Sequence, residues 1–235
     1  MHAPVSIVTG GGSGIGRELA LLLHEAGHAV VIAGRRPERL LETIAQGSGS
    51  PDRWLAHPAD LRNDLAAATL VDSTIARFGR IDTLVNCAGV APLRPLHATD
   101  EPLLIDTFEV NAFGPAALIR RCWPHFLQQG SGCIVSVSTL GTTDPFAGYF
   151  AYAAAKSALD SMTRSAAREG RDHGIRVFGV NLGCVETDML RGNFSKALIP
   201  GERAHSPRVA AAFLKTFIDG QRDSDQGMCV PLPGP

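Results

Sequence analysis

Two segments of this 235-residue chain carry side chains that could do chemistry together. The first is Tyr152-Ala153-Ala154-Ala155-Lys156. Residues four apart share one face of a helix, so phenol and ammonium would stand one turn from each other. A nearby ammonium favours the phenolate and is expected to lower the phenol pKa toward working pH. A tyrosine tuned in this way gives a proton to a carbonyl or takes one from a hydroxyl. The intervening alanines leave room for a ligand. Tyr149, the other tyrosine, has no lysine four residues on and reads as an aromatic packing residue.

The second segment is Thr9-Gly10-Gly11-Gly12-Ser13-Gly14-Ile15-Gly16, between a strand-like run and a helix-like one. Glycines allow a tight turn and a close backbone approach to a ligand. The helix that follows offers free N–H groups and the positive end of its dipole, which suit a pyrophosphate. The spacing is Gly-x3-Gly-x-Gly, not the Gly-x-Gly-x-x-Gly of the common dinucleotide fingerprint. After the second strand-like run the chain reads Ala33-Gly34-Arg35-Arg36. A carboxylate there would accept hydrogen bonds from a ribose 2′-hydroxyl. Arg35 and Arg36 instead suit a 2′-phosphate, because guanidinium pairs bidentately with phosphate. That favours NADP over NAD, unless both arginines simply point into solvent at the start of the next helix.

These groups need a frame. Apolar runs rich in β-branched residues recur at Val5–Thr9, Ala29–Ala33, Trp54–His57, Ile81–Asn86, Cys133–Ser138, Arg176–Asn181 and Met228–Val230. Most are continuous rather than alternating, as strands of a parallel sheet covered on both faces are. Helical spacing fills the intervals: Ile15–Ala26, Pro37–Gln46, Asn63–Phe78, Thr99–Gln128, Tyr149–His173 and Pro207–Asp219. Strand and helix in alternation give βαβ units and an α/β doubly wound sheet of about seven parallel strands. Met189–Ser206 shows neither period and reads as a substrate loop or lid. The chain is expected to form one domain over residues 1–235.

Composition narrows the function classes. The net charge is −1, from 22 basic and 23 acidic residues, which argues against nucleic acid and polybasic membrane binding. The five cysteines, Cys87, Cys122, Cys133, Cys184 and Cys229, lack CxxC spacing. They read as reduced thiols in a cytoplasmic protein, with neither disulfides nor a metal site. The eight histidines share no metal-ligand spacing. No signal peptide or membrane span is expected.

Taken together, these residues resemble the classical short-chain dehydrogenase/reductase (SDR) family, over nearly the whole chain from Val5 to about Val230. Thr9-Gly10-x3-Gly14-Ile15-Gly16 is similar to that family's cofactor loop, with Gly12 and Ser13 inside it. Asp60-Leu61 resembles its adenine contact. Asn86-Cys87-Ala88-Gly89 resembles its Asn-Asn-Ala-Gly element, with Cys87 in place of the second Asn. Asn111 matches the asparagine that anchors a proton relay, and Tyr152 with Lys156 matches the catalytic pair, whose lysine also bonds the nicotinamide ribose. The family's catalytic serine stands thirteen residues before the tyrosine, where this chain has Thr139; Ser138 fits if the loop carries one extra residue. Strand register decides between the two hydroxyls, and Ser138 is preferred. Asn181-Leu182-Gly183 departs from the family's Asn-Pro-Gly, while Val185 and Thr187 match nicotinamide and phosphate contacts.

The resemblance implies a Rossmann-type domain and an NADP(H)-dependent oxidoreductase acting on a small carbonyl or secondary alcohol. It also implies a homodimer or homotetramer. An NAD-dependent alcohol dehydrogenase and a non-catalytic dinucleotide-binding sensor or scaffold are the alternatives. Substrate choice is expected to lie in Met189–Ser206 and in the loops Ala91–Leu96 and Leu140–Phe146.

Overall fold

Val5-Ser6-Ile7-Val8-Thr9 is buried along its whole length, as a strand covered on both faces must be. A computed structural model describes residues 3–235 and places this strand, β1 (Val5–Thr9), at the centre of a sheet. The others are β2 (Ala29–Gly34), β3 (Trp54–Pro58), β4 (Thr83–Asn86), β5 (Gly132–Thr139), β6 (Ile175–Leu182) and β7 (Cys229–Pro231). The order is β3-β2-β1-β4-β5-β6-β7, and every pair is parallel.

The helices are α1 (Gly14–Glu25), α2 (Pro37–Gln46), α3 (Asp64–Phe78), α4 (Glu101–Phe108), α5 (Gly114–Gln129), α6 (Phe150–Gly170), α7 (Asp188–Asn193) and α8 (Pro207–Ile218). Four of them start on side-chain caps that the sequence supplies, among them α7, where Thr187 accepts from Leu190 N. Asn63 accepts from Leu65 N, Asp100 from Leu103 N and Ser206 from Val209 N. Among the described residues no helix is long and apolar enough to cross a membrane.

The sheet divides two cores. On one side Val8, Val85, Val135 and Phe178 pack with Leu19 and Leu23 of α1 and Leu214 and Phe217 of α8. On the other, Ile7, Leu84, Ile134 and Val177 pack with Leu70 of α3, Leu118 and Phe126 of α5 and Ala167 of α6. Burying each of these large side chains stabilises the fold by about 1.5–3 kcal/mol. Because strand side chains alternate, Asn86, Ser136, Ser138 and Asn181 face the α5–α6 side.

Crossovers from β1 run toward β2 and those from β4 run the other way. The carboxyl ends of these two neighbours therefore part, and ligands of open α/β sheets bind in that crevice.

Two expectations change. The helix expected over Thr99–Gln128 is broken by a π-helical turn at Glu109–Phe113. Within it the Asn111 amide donates to the Thr107 carbonyl at 2.9 Å, so a side chain takes an acceptor of the helix ladder. The irregular Met189–Ser206 region is partly ordered as α7, and its end pairs with the segment after β6 through an isolated bridge between Val185 and His205.

Candidate active site

The glycine loop leaves β1 at Thr9, whose hydroxyl donates to the Val85 carbonyl (3.2 Å). The same hydroxyl accepts from the backbone N–H groups of Cys87 (2.9 Å) and Ala88 (3.0 Å). One buried hydroxyl thus joins the ends of the two central strands. Gly10 has φ +72°, and a Cβ there would lie 3.0 Å from the Ala88 Cα. A Cβ on Gly16 would lie 2.5 Å from the Gly10 carbonyl oxygen, so both positions require glycine. The Gly11 carbonyl accepts from Thr43 (2.9 Å) and the Gly12 carbonyl from Arg17 (2.6 Å). These two supports come from α2 and α1 and are not foreseen from the sequence. Ser13 precedes α1 without making a side-chain cap, which leaves the first N–H groups of the helix for an anion.

In front of the loop lies a cleft of about 190 Å³. It is lined by Gly10, Gly12, Ser13, Arg35, Arg36, Asp60, Leu61, Ala88 and Gly89, all expected cofactor contacts, and also by Arg39. Arg39 is ion-paired to Glu42 (3.0 Å). The Asp60 carboxylate takes hydrogen bonds from Arg62, chiefly on that account lies below the usual carboxylate range, and Arg62 in turn bridges to Asp106 (2.8 Å). Gly14, Ile15 and Gly16 form the first turn of α1 behind the cleft. Asn86 does not reach it. It is 1% exposed and turned to the α5–α6 side, with both side-chain amide atoms unpartnered. Asn86 is expected at the cofactor as part of the Asn-Cys-Ala-Gly element; strand alternation turns its side chain into the sheet face, which leaves such a contact to its backbone.

Lys156 is buried, and its Nζ donates to the Val137 carbonyl at 2.8 Å. Burial pushes its ammonium down to about 8. The Tyr152 phenol is raised rather than lowered, first by desolvation and then by Tyr149, while the neighbouring Thr139 hydroxyl opposes the rise. The expected lowering by Lys156 is overturned because removing the phenolate from water outweighs its neighbours. Tyr152 is therefore held protonated, the form that can donate.

The hydroxyl at the phenol belongs to Thr139. Ser138, one residue earlier on β5, lies beneath α6, is 3% exposed, and has a buried Oγ without a partner. The preference for Ser138 gives way to Thr139, since the Ser138 Oγ meets no partner while the Thr139 hydroxyl stands at the phenol. The Asn111 side chain is spent on backbone. It donates to Val90 O (2.8 Å) and accepts from Val90 N (3.2 Å). It can serve a proton relay only through its main chain and by fixing Gly89, where a Cβ would lie 2.8 Å from Asn111 Oδ1.

Thr187 caps α7 through Leu190 N and touches the glycine loop, where a Cβ on Gly14 would lie 3.1 Å from its Cγ2. Val185 is buried beside it. The sequence reading misses the wall next to Tyr152. The Tyr149 ring lies 5.2 Å from that of Tyr152 and 6.0 Å from that of Phe194, and Phe146 is 5.8 Å from Phe194. Asn193 of α7 donates to the Tyr149 hydroxyl (3.1 Å) and the Ala91 carbonyl (2.7 Å), tying two of the three expected specificity loops to each other and to the start of α6.

Comparison with known proteins agrees with this geometry. The profile of the family described as short chain dehydrogenase matches residues 4–197. A short chain dehydrogenase of Pseudocercospora fijiensis is 34% identical over 193 residues, 80% of this chain, and the match spans only 62% of that longer protein. Cis-4-hydroxycyclohexanecarboxylate dehydrogenase of Sinomonas cyclohexanicum is 36% identical over 197 residues, 80% of this chain and 76% of that one. The crystal structure of 3-ketoacyl-(acyl-carrier-protein) reductase from Brucella melitensis, complexed with NADH, superposes with a TM-score of 0.91. It has 26% identity and covers 98% of this chain and 97% of that one.

Proposed function

This chain belongs to the short-chain dehydrogenase/reductase family, and from that premise we propose that it is an NADP(H)-dependent enzyme interconverting a secondary alcohol and its carbonyl. The observation that carries the reading is the meeting of the Tyr152 phenol and the Thr139 hydroxyl beside the glycine cradle. Gly10, Gly16, the uncapped start of α1 and the cleft in front of them suit a dinucleotide. Arg35 and Arg36 make no ion pair among the described residues and line the cleft, which supports a 2′-phosphate.

When bound, the nicotinamide supplies or accepts the hydride. In reduction Tyr152 gives its proton to the carbonyl oxygen as negative charge develops there, and in oxidation its phenolate takes the proton back. Thr139 donates a hydrogen bond to the same oxygen and orients it. Lys156 compensates the phenolate and reaches toward the ribose. Asn111 holds Val90 and the π-helical turn in place, so that Gly89 stays against Lys156. The aromatic wall of Phe146, Tyr149 and Phe194 suits an apolar ring, and the Sinomonas relative by its name acts on an alicyclic alcohol.

A Tyr152→Phe variant tests the class. Turnover should collapse while cofactor binding survives; unchanged turnover refutes the role of Tyr152. A parallel fluorescence titration with NADPH and NADH tests the cofactor. Equal or tighter NADH binding replaces this reading with an NAD-dependent one, and binding of neither moves a non-catalytic role to the front. A second copy of this chain is assigned to the outer face of α5 and α6, where Ile119, Trp123, Pro124 and Met162 line an apolar cleft of about 390 Å³. A monomer in light scattering rejects that assignment.

A further inference from the structure

Asp160 is a buried carboxylate that the mechanism above leaves unused. It follows Lys156 by four residues and Tyr152 by eight on α6, so the three side chains share one helical face. It is 5% exposed, and its Oδ1 is buried without a hydrogen-bond partner among the described residues. Burying a carboxylate is costly unless a cation compensates it. Under the same face lie Asn86, Ser136 and Ser138, and Thr163 lies one turn further on; each has a buried polar side-chain atom without a partner. Lys156 spends one of its three N–H donors, on the Val137 carbonyl.

We propose that Asp160 is a positioning residue: its carboxylate keeps the Lys156 ammonium charged inside the fold and aligned with Tyr152. The proposal rests on the catalytic reading of Lys156 and Tyr152. The groups that face this line are few. On α6 they are Tyr152 and Arg164; the end of β4 brings the Cys87 thiol, β7 brings the Cys229 thiol, and Tyr149 stands beside Tyr152. Burial pushes both thiols up to about 11, and both phenols are raised, so all four are neutral near pH 7. Arg164 is exposed and turned to the Cys229 sulfur at 3.8 Å. The Asp160 carboxylate is the anion that remains to oppose the desolvation of Lys156.

The chain has three lysines, Lys156, Lys196 and Lys215, so 13Cε-lysine NMR reads the buried one directly in the free protein. In Asp160→Asn the Lys156 titration should fall by about one pH unit, a tenfold loss of proton affinity. In carbonyl reduction the alkaline limb of kcat should move down by the same amount, while the rate near pH 6 stays close to wild type. An unchanged Lys156 titration overturns the proposal. So does a variant whose rate falls equally near pH 6 and pH 9, since that is what a purely structural role produces. Asp160→Ser carries the same reading if the Asn variant does not fold. A shifted titration in a protein that reduces no carbonyl supports the charge-holding role and rejects instead the catalytic reading beneath it.

Discussion

Replacing the two adjacent hydroxyls at the end of β5 should have opposite consequences. Thr139 stands at the Tyr152 phenol and also accepts from Gly141 N at 3.1 Å. Thr139→Val keeps the β-branched shape and removes the donor aimed at the reacting oxygen. Loss of one such donor costs about 2.7–4 kcal/mol of transition-state stabilisation, roughly 10²–10³ in kcat. Thr139→Ser should retain most of the activity. Ser138 is buried, and its Oγ meets no partner. A buried unsatisfied hydroxyl costs about 1–3 kcal/mol, of which Ser138→Ala recovers a part while opening little space. A gain of about 1 kcal/mol would raise Tm by roughly 2–4 °C in a chain of this size, with kcat unchanged. Cofactor oxidation with an alicyclic ketone and a thermal melt on the same samples measure both effects. A Ser138→Ala protein that loses its activity beside a Thr139→Val protein that keeps it would refute the assignment of the two faces.

Three further outcomes follow from the same geometry. Arg35→Ala with Arg36→Ala should weaken NADPH at least tenfold and leave NADH unchanged, since each charge-assisted bond to phosphate contributes about 1.5–3 kcal/mol; equal losses for both cofactors in a fluorescence titration would remove these residues from the 2′-phosphate. Gly16→Ala places a methyl 2.5 Å from the Gly10 carbonyl, so cofactor binding should be lost even where circular dichroism shows an intact fold; wild-type affinity would show that the cradle tolerates a Cβ. Asn193→Ala removes two hydrogen bonds that tie α7 to Ala91 and to Tyr149, and KM for the carbonyl should rise about fivefold or more while cofactor affinity holds; a fall in kcat alone would count against a role in closing the site.

The doubly wound sheet was legible because its strands are unbroken apolar runs, and the glycine loop because only glycine satisfies the Gly10 and Gly16 contacts. The Tyr152–Lys156 spacing likewise survives folding, since both residues lie on α6. What escaped depends on quantities that spacing does not contain. The choice between Ser138 and Thr139 turns on which face each takes at a strand end, and Asn86 points away from the cleft for the same reason. The direction of the Tyr152 shift is set by desolvation, which requires knowing how much water the fold excludes. Asn193 and Tyr149 meet across 44 positions of sequence, so neither carried a local signal.

The π-helical turn at Glu109–Phe113 has a consequence for how this chain tolerates insertions and deletions. An α-helix turns about 100° per residue, so removing one residue from the turn to restore a regular helix would rotate everything after it by that angle. Leu118, Cys122 and Phe126, all fully buried on the sheet, would swing off it together. The irregularity beside Asn111 is thus what keeps the two halves of this helix in phase, and a single-codon deletion there would be read out about four turns downstream, as exposed Phe126.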